Sequence, residues 1–336
     1  MVTLKDIALD CHVSLAVVSR ALNPNSDGRV AKETRLRIEE SMRRLHYHRN
    51  HAAAMLAMGR CAALGIFLPN YKDALIAELV MGVSEAASKY DFNCRFFFGQ
   101  DGSDYLRFME KLGDMGSSGI LTYPIDDKRG DELRMALVEY RKRGGRVTVL
   151  NSMVSYQDGI ESISLDNEYG GRLAAEHLLS LGCTSFSLLT VDMKSPTNEA
   201  RCNGFVHRLQ EDGLGVSLHP IKSGNYHHYD YKALEDAIFK IDKSPKEGIF
   251  AVNDYLALAF LRKMQQLGRI GEVGKSIRLV GYDDNMAASF SIPTLTSIRQ
   301  PMRQLAHEAT LRMISQIVGA PTRNQLPLPE LIERES

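Results

Sequence analysis

Three side chains in the second half of the sequence carry groups able to hold a polar ligand. Asp283 follows the apolar run Ile277–Gly281, Asn253 follows Gly248–Val252, and Arg201 opens a helix-capable stretch that reaches Gly204 and Phe205. In α/β sheets, ligands bind at the carboxyl ends of strands. A carboxylate there accepts hydrogen bonds from hydroxyls, an amide both donates and accepts, and a guanidinium presents a rigid fork of donors. Plainer readings stand beside these: Asp283 as a turn residue, Asp254 as a helix cap, and Arg201 as a surface charge. Asn151, at the end of Val147–Leu150, is a weaker candidate, and Asn70, Thr122, Leu165 and Gln300 are weaker still.

A second chemistry lies in the distribution of charge. The 336 residues carry 41 basic and 41 acidic side chains, so the net charge is zero. The first 60 residues hold 10 Lys/Arg against 6 Asp/Glu, and the remainder holds 31 against 35. Four of the ten histidines (His12, His46, His48, His51) also fall in that first stretch. A small basic head on an acidic body is the electrostatic footprint of a nucleic-acid binder. His46, His48 and His51 lack a convincing set of partner ligands, so no metal is expected.

Other functions find no support. Gly268, Gly271 and Gly274 follow a helix rather than a first strand, and there is neither a GxSxG nor a phosphate loop, so neither a cofactor nor an enzymatic activity is expected. No apolar run approaches the roughly 18 residues of a membrane helix. Lys5, Asp6 and Asp10 occupy the place of a signal peptide's apolar stretch. The five cysteines (11, 61, 94, 183, 202) show no CxxC spacing, which fits reduced thiols in the cytoplasm.

The elements that must hold these residues are legible from periodicity. Thr3-Leu4-Lys5-Asp6 reads as a helix start at which the Thr3 hydroxyl accepts from a first-turn N–H. Leu4, Ile7, Ala8 and Cys11 form one apolar helical face. Ser14 is a cap for a second helix whose buried stripe is Val17, Val18, Ala21 and Leu22, stopped by Asn23-Pro24. Two short helices joined by a turn of about three or four residues have helix-turn-helix spacing. A third helix carries Ile38, Met42 and Leu45. Such bundles bind proteins as often as DNA.

From Ala62 onward, β-rich runs alternate with helical stretches. The runs are 64–68, 94–98, 119–123, 147–150, 162–165, 185–189, 248–252 and 277–281; the helices lie near 75–89, 105–115, 131–143, 168–181, 199–210, 232–241 and 256–267. Strand–helix alternation predicts parallel sheets covered by helices. There are too many strands for one compact sheet, so two lobes dividing near Leu165 are expected.

The order of residues in the head resembles the LacI/GalR family of bacterial transcription repressors. The matching stretches are Val2-Thr-Leu-Lys-Asp-Ile-Ala8, Val13-Ser14, Val18-Ser-Arg-Ala-Leu-Asn23, Thr34-Arg35, Ile38 and Tyr47. Further matches run to the end of the chain, among them Ala174-Ala-Glu-His-Leu178, Val280-Gly-Tyr-Asp-Asp284 and Leu328-Pro-Glu-Leu-Ile-Glu-Arg-Glu-Ser336. The resemblance implies an α/β chain with a helix-turn-helix DNA-binding domain (1–48), a hinge helix (49–60) and a two-lobed periplasmic-binding-protein type I body (61–336). Its N-lobe would span about 61–163 and 292–320, and its C-lobe about 164–291 and 321–336. The helix from Leu15 would lie in the major groove. Leu15 and Ala16 would read shape or thymine methyls, Arg20 would read guanine, and Thr3, Ser14, Ser19 and Asn23 would contact the duplex around them. Asn50 and Ala53 would lie in the hinge, with Leu56 wedged into the minor groove. The departures are His12 in place of a turn Gly, Val17 for Thr, and Ala31 for a Ser cap.

By the same resemblance, Arg201, Asn253, Asp283, Asn151, Asn70, Thr122, Leu165 and Gln300 would face an effector between the lobes, with Tyr226 covering its flat face. Sugars are the commonest effectors of the family, with purines and nucleosides also known. The implied partners are a pseudo-palindromic double-stranded operator, that effector and a second copy of the chain. The absence of a leucine-heptad tail predicts a dimer rather than a tail-linked tetramer. Two rival readings are a solute-binding protein of the same body, which predicts a signal peptide and no basic head, and an α/β enzyme, which predicts catalytic residues.

Overall fold

The computed structural model describes residues 3–21, 30–45, 62–70, 74–115, 117–124, 129–153, 159–192, 195–223, 229–241, 246–321 and 325–336. The head contains α1 (Leu4–Asp10), α2 (Leu15–Ala21) and α3 (Lys32–Arg44). Ile7, Ala8, Cys11, Val18, Ala21 and Ile38 close a small core between them. At the start of α1, Thr3 and Asp6 form a capping box. The Thr3 hydroxyl and N–H both donate to the Asp6 carboxylate, at 2.8 and 2.7 Å. The carboxylate accepts both hydrogen bonds, which favour its charged form and lower its pKa below the ordinary range. Ser14 Oγ accepts the N–H of Val17 at 3.3 Å and caps α2. His12 turns the chain between α1 and α2 at φ +51°, in the left-handed region that favours glycine.

The body is built on two sheets. The first comprises β1 (Ala63–Pro69), β2 (Asn93–Gly99), β3 (Gly119–Thr122), β4 (Arg146–Leu150) and β5 (Glu161–Ile163), in the order β2-β1-β3-β4-β5, all parallel. Its connecting helices are α4 (Ala74–Ser88), α5 (Gly102–Met115) and α6 (Gly130–Lys142). The second comprises β6 (Ser185–Val191), β7 (Ser217–Ile221), β8 (Glu247–Ala251), β9 (Ile277–Asp283), β10 (Thr296–Arg299) and β11 (Glu330–Ile332), in the order β11-β10-β9-β8-β6-β7, antiparallel only at β11. Around it lie α7 (Asn167–Ser180), α8 (Pro196–Glu211), α9 (Tyr231–Lys240), α10 (Asp254–Gln266) and α11 (Met286–Phe290). β1 is buried along its whole length, as strands covered by helices on both faces must be.

All eight expected strands are present, within two residues at each end. Three more were not anticipated: β7, β10 and β11. Nor was α12 (Met302–Val318), although Met302, Leu305, Ala306, Ala309, Met313, Ile314 and Ile317 repeat at helical spacing and are all buried. α12 belongs to the first lobe, where it packs on α4. β10, in contrast, pairs with β9 in the second sheet. The return to the first lobe therefore falls at Gln300-Pro301 rather than near residue 292. An eight-residue error arises because a four-residue strand such as β10 is defined by its neighbours, not by its own pattern.

Candidate functional site

Close helix packing sets the position of Arg201. α7 and α8 touch backbone to backbone: a Cβ on Gly171 would overlap the carbonyl of Arg201, and one on Gly204 would overlap the carbonyl of Glu168. The Arg201 side chain is buried. Its Nε donates to Asn167 Oδ1 at 3.0 Å and its Nη1 to the carbonyl of Val252 at 2.9 Å. Its guanidinium lies 3.8 Å from the centroid of the Tyr282 ring, and Nη1 is 3.5 Å from Asp283 Oδ1. Burial pushes the Tyr282 phenol up to about 12, so it stays protonated and directs its hydroxyl to Asn167 Oδ1. Arg201 is thus a buried charge with partners, not a surface residue.

Asp283 ends β9 at φ +116°, followed by Asp284 at φ +50°. The β9–β10 register sets Asp283 opposite Arg299. Gln300, the next residue, donates from Nε2 to Asp283 Oδ1 at 2.6 Å. That fixes the amide's orientation and leaves Gln300 Oε1 buried without a partner among the described residues. Asn253, not Asp254, caps α10: its Oδ1 accepts from the N–H of Leu256 at 2.8 Å and from the Tyr229 hydroxyl at 3.1 Å. Burial raises the Tyr229 phenol above its ordinary value. Asp254 is the first residue of α10 and is fully buried, which corrects its reading as the cap.

The first sheet contributes a separate group. Asn70, Thr122 and Asn151 lie at the carboxyl ends of β1, β3 and β4, which are neighbours in that sheet. Asn151 has φ +52°; its Nδ2 donates to the Tyr123 hydroxyl at 2.5 Å, and its buried Oδ1 has no partner among the described residues. Thr122 bonds the carbonyl of Tyr123, and Asn70 is exposed with its N–H on the Gly99 carbonyl. Leu165 is packed in the first-lobe core, so it is a core residue rather than a ligand contact. A cleft of about 750 Å³ opens between the start of α4 and the turn after β9, lined by Leu75, Glu78, Asp283, Asn285, Gln300 and Met302 among others.

The structure therefore joins Arg201, Asp283 and Gln300 directly and links Asn253 to Arg201 through the carbonyl of its neighbour Val252. Tyr226 lies outside the described residues, and Tyr229 is the aromatic found at Asn253. Sequence reasoning passed over Asn167, Tyr282, Tyr229 and Tyr123. Tyr282 carried a signal in the Val280-Gly-Tyr run quoted above, as the one side chain there with both an aromatic face and a polar end.

The head presents a different surface. α2 buries Val18 and Ala21 and leaves Leu15, Ala16, Ser19 and Arg20 exposed; Ser14 and Thr3 are exposed as well. Arg20 Nε is held by the carbonyl of Ala16 at 3.1 Å. Asn23, Asn50, Ala53 and Leu56 lie outside the described residues, as do His46, His48 and His51. Among the described residues no group of three or more His, Cys, Asp or Glu side chains is placed to hold a metal. No described helix is long and apolar enough to cross a membrane.

Comparison with known proteins bears on both surfaces. Residues 3–50 match the model of bacterial regulatory proteins of the lacI family, and residues 175–336 match the periplasmic binding protein-like domain. The head thus carries the lacI-family domain, and the second half of the chain carries the periplasmic binding protein-like domain. Among relatives, the ribose operon repressor of Bacillus subtilis is 27% identical over 98% of this chain and 96% of its own length. Catabolite control protein A of Priestia megaterium is 25% identical over 99% and 98%. A Lac repressor dimer bound to operator and an anti-inducer superposes with a TM-score of 0.67 at 25% identity, covering 99% of this chain and 98% of that one. A CelR–cellobiose complex shares the fold with a TM-score of 0.68 at 22% identity, covering the whole of both chains.

Proposed function

We propose that this chain is a sequence-specific DNA-binding transcription repressor that works as a homodimer under the control of a neutral sugar. The observation that carries the reading is the outward face of α2. Leu15, Ala16, Ser19 and Arg20 are exposed on a helix whose opposite side seals the head's core, so they are free to enter a major groove. A solute-binding protein of the same body has no use for that face. An Arg fork pairs with O6 and N7 of guanine, while the serines hold phosphates. Action on an operator places the protein in the cytoplasm.

The second copy is accommodated by an apolar surface on the second lobe. Met286, Phe290 and Ile292 are 73, 77 and 88% exposed on α11 and the segment after it. Two such patches related by a two-fold axis bury each other.

The effector is held by Arg201, Asn253, Asp283 and Gln300 on one side and by Asn151 on the other. Asp283 already balances Arg201, so the described residues of the site offer no spare positive charge for an anion. Its unpaired oxygens, Gln300 Oε1 and Asn151 Oδ1, seek hydroxyl donors. Binding shifts DNA affinity only by the sugar's differential affinity for two arrangements of the lobes.

The test is selection from random duplexes at low salt by the full chain, followed by release or tightening with a panel of neutral sugars. Enrichment of a pseudo-palindrome and a sugar response that Asp283→Ala abolishes are expected. Failure to select any sequence refutes the repressor reading.

A further inference from the structure

We propose that Asp254 is a positioning residue of the effector site, acting through the turn Asp283-Asp284-Asn285, which it pins together with Ser297. The proposal rests on the reading of Asp283 as an effector ligand. Asp254 is fully buried at the start of α10, and Asn253 already caps that helix, so Asp254 is not needed for the cap. Its bonds go to the turn instead. Oδ2 accepts the N–H of Asn285 at 2.7 Å, and Oδ1 lies 2.6 Å from the Ser297 hydroxyl. Ser297 Oγ in turn accepts the N–H of Asp284 at 3.0 Å. Both amides that follow Asp283 are thus consumed by one carboxyl–hydroxyl pair.

The turn needs that hold. Asp283 and Asp284 sit at φ +116° and +50°, regions that non-glycine residues keep only when their surroundings dictate it. The chain leaves room for the carboxyl at Gly281, where a Cβ would overlap Asp254 Oδ1. With the turn pinned, the Asp283 carboxylate is directed between Arg201 and Gln300 Nε2.

The groups facing Asp254 are anionic. Asp283 and Asp284 stand beside it. The cations nearby belong to those two, Arg201 to Asp283 and Arg299 and Arg334 to Asp284, while the Tyr229 hydroxyl goes to Asn253 and the Tyr282 hydroxyl to Asn167. No ion pair to Asp254 occurs among the described residues. Burial, then the charge of Asp283, drive its pKa well above the ordinary carboxylate range. An asparagine keeps both hydrogen-bonding positions without a charge. Its Oδ1 would accept from Asn285 and its Nδ2 would donate to Ser297 Oγ.

The experiment is hydrogen exchange of the full chain, comparing the wild type with Asp254→Asn, Asp254→Ala, Ser297→Ala and Gly281→Ala. Asp254→Ala should speed exchange at the 284 and 285 amides at least tenfold, while Asp254→Asn keeps it within about twofold. Ser297→Ala should release Asp284 alone, and Gly281→Ala should mimic Asp254→Ala if that variant does not fold. A pH series supplies a readout that a merely structural role would not move. A folded pKa raised above the unfolded value means the native state binds more protons. That contribution is complete below the unfolded value and is lost as pH rises through the folded one. Relative to the wild type, Asp254→Asn should therefore gain stability with rising pH, by up to about tenfold in the unfolding constant per pH unit. Protected 284 and 285 amides in Asp254→Ala, or wild type and Asp254→Asn running parallel in pH, would overturn the proposal. Thermal shifts with a panel of neutral pentoses, hexoses and disaccharides separate the two readings. A wild type that answers no sugar, with the exchange results intact, removes the effector reading alone. A wild-type response equalled by Asp254→Ala removes the role of Asp254.

Discussion

Arg201→Ala is the perturbation with the most directly calculable outcome. The guanidinium is buried, donates to Asn167 Oδ1 and the Val252 carbonyl, rests on the Tyr282 ring, and balances Asp283. Its removal leaves the carbonyl short of a donor and the carboxylate short of its cation. Breaking a buried pair from one side costs about 3–5 kcal/mol. The lower end applies, because the pair is separated by 3.5 Å and Asp283 keeps the Gln300 amide at 2.6 Å. A loss of about 3 kcal/mol in a body of this size lowers the melting temperature by roughly 6–12 °C. Differential scanning calorimetry of the full chain at neutral pH reads this. The double variant Arg201→Ala with Asp283→Asn removes both charges and should recover about 1–2 kcal/mol of the summed single losses. A melting temperature within 2 °C of wild type, or strict additivity in the double variant, would refute the buried-network account. The double variant also separates stability from ligand binding, because it regains part of the lost stability while leaving the effector without its two charged partners.

Arg20→Ala should cost about 1–3 kcal/mol of operator affinity and relax selection at one position in each half-site, as read by competition binding; a uniform loss across sequences would make Arg20 a phosphate contact only. Leu56→Ala should lower both affinity and operator bending in a gel-shift bending assay while leaving the melting temperature nearly unchanged; a large fall in melting temperature would make it a core residue. Gly171→Ala drives a methyl into the Arg201 carbonyl, should cost about 1–3 kcal/mol, and should weaken the sugar response, and an unchanged response in calorimetry would separate the α7–α8 contact from the site. Asp6, whose carboxyl is held below the ordinary range by the Thr3 N–H and hydroxyl, supports α1 above its unfolded value of about 3.9; that support is lost as pH falls through the lower folded value. Head amide signals should follow this acid transition, and Asp6→Asn should flatten it.

Local pattern was enough to read the head and most of the strands. Leu4, Ile7, Ala8 and Cys11 repeat at helical spacing, and helical spacing alone decides which side of α1 is buried, because side chains three and four apart share a face. The same argument places Arg20 outward once Val18 and Ala21 face the core. The apolar runs of β1, β6 and β8 are legible because strands buried on both faces tolerate few polar residues.

The arrangement of the site was not legible in this way. That Gln300 binds Asp283, that Asp254 is buried beneath the turn while Asn253 caps the helix, and that β10 and α12 belong to different lobes all depend on pairings between distant parts of the chain. β10 is too short to carry a pattern of its own and exists because β9 and β11 flank it. The Asp254 carboxyl fits because Gly281, 27 positions later, has no Cβ. Periodicity reports which face of an element is apolar, so it determined the elements. Register and helix packing decide which polar groups meet, and these are settled only when separate elements compete for the same buried space.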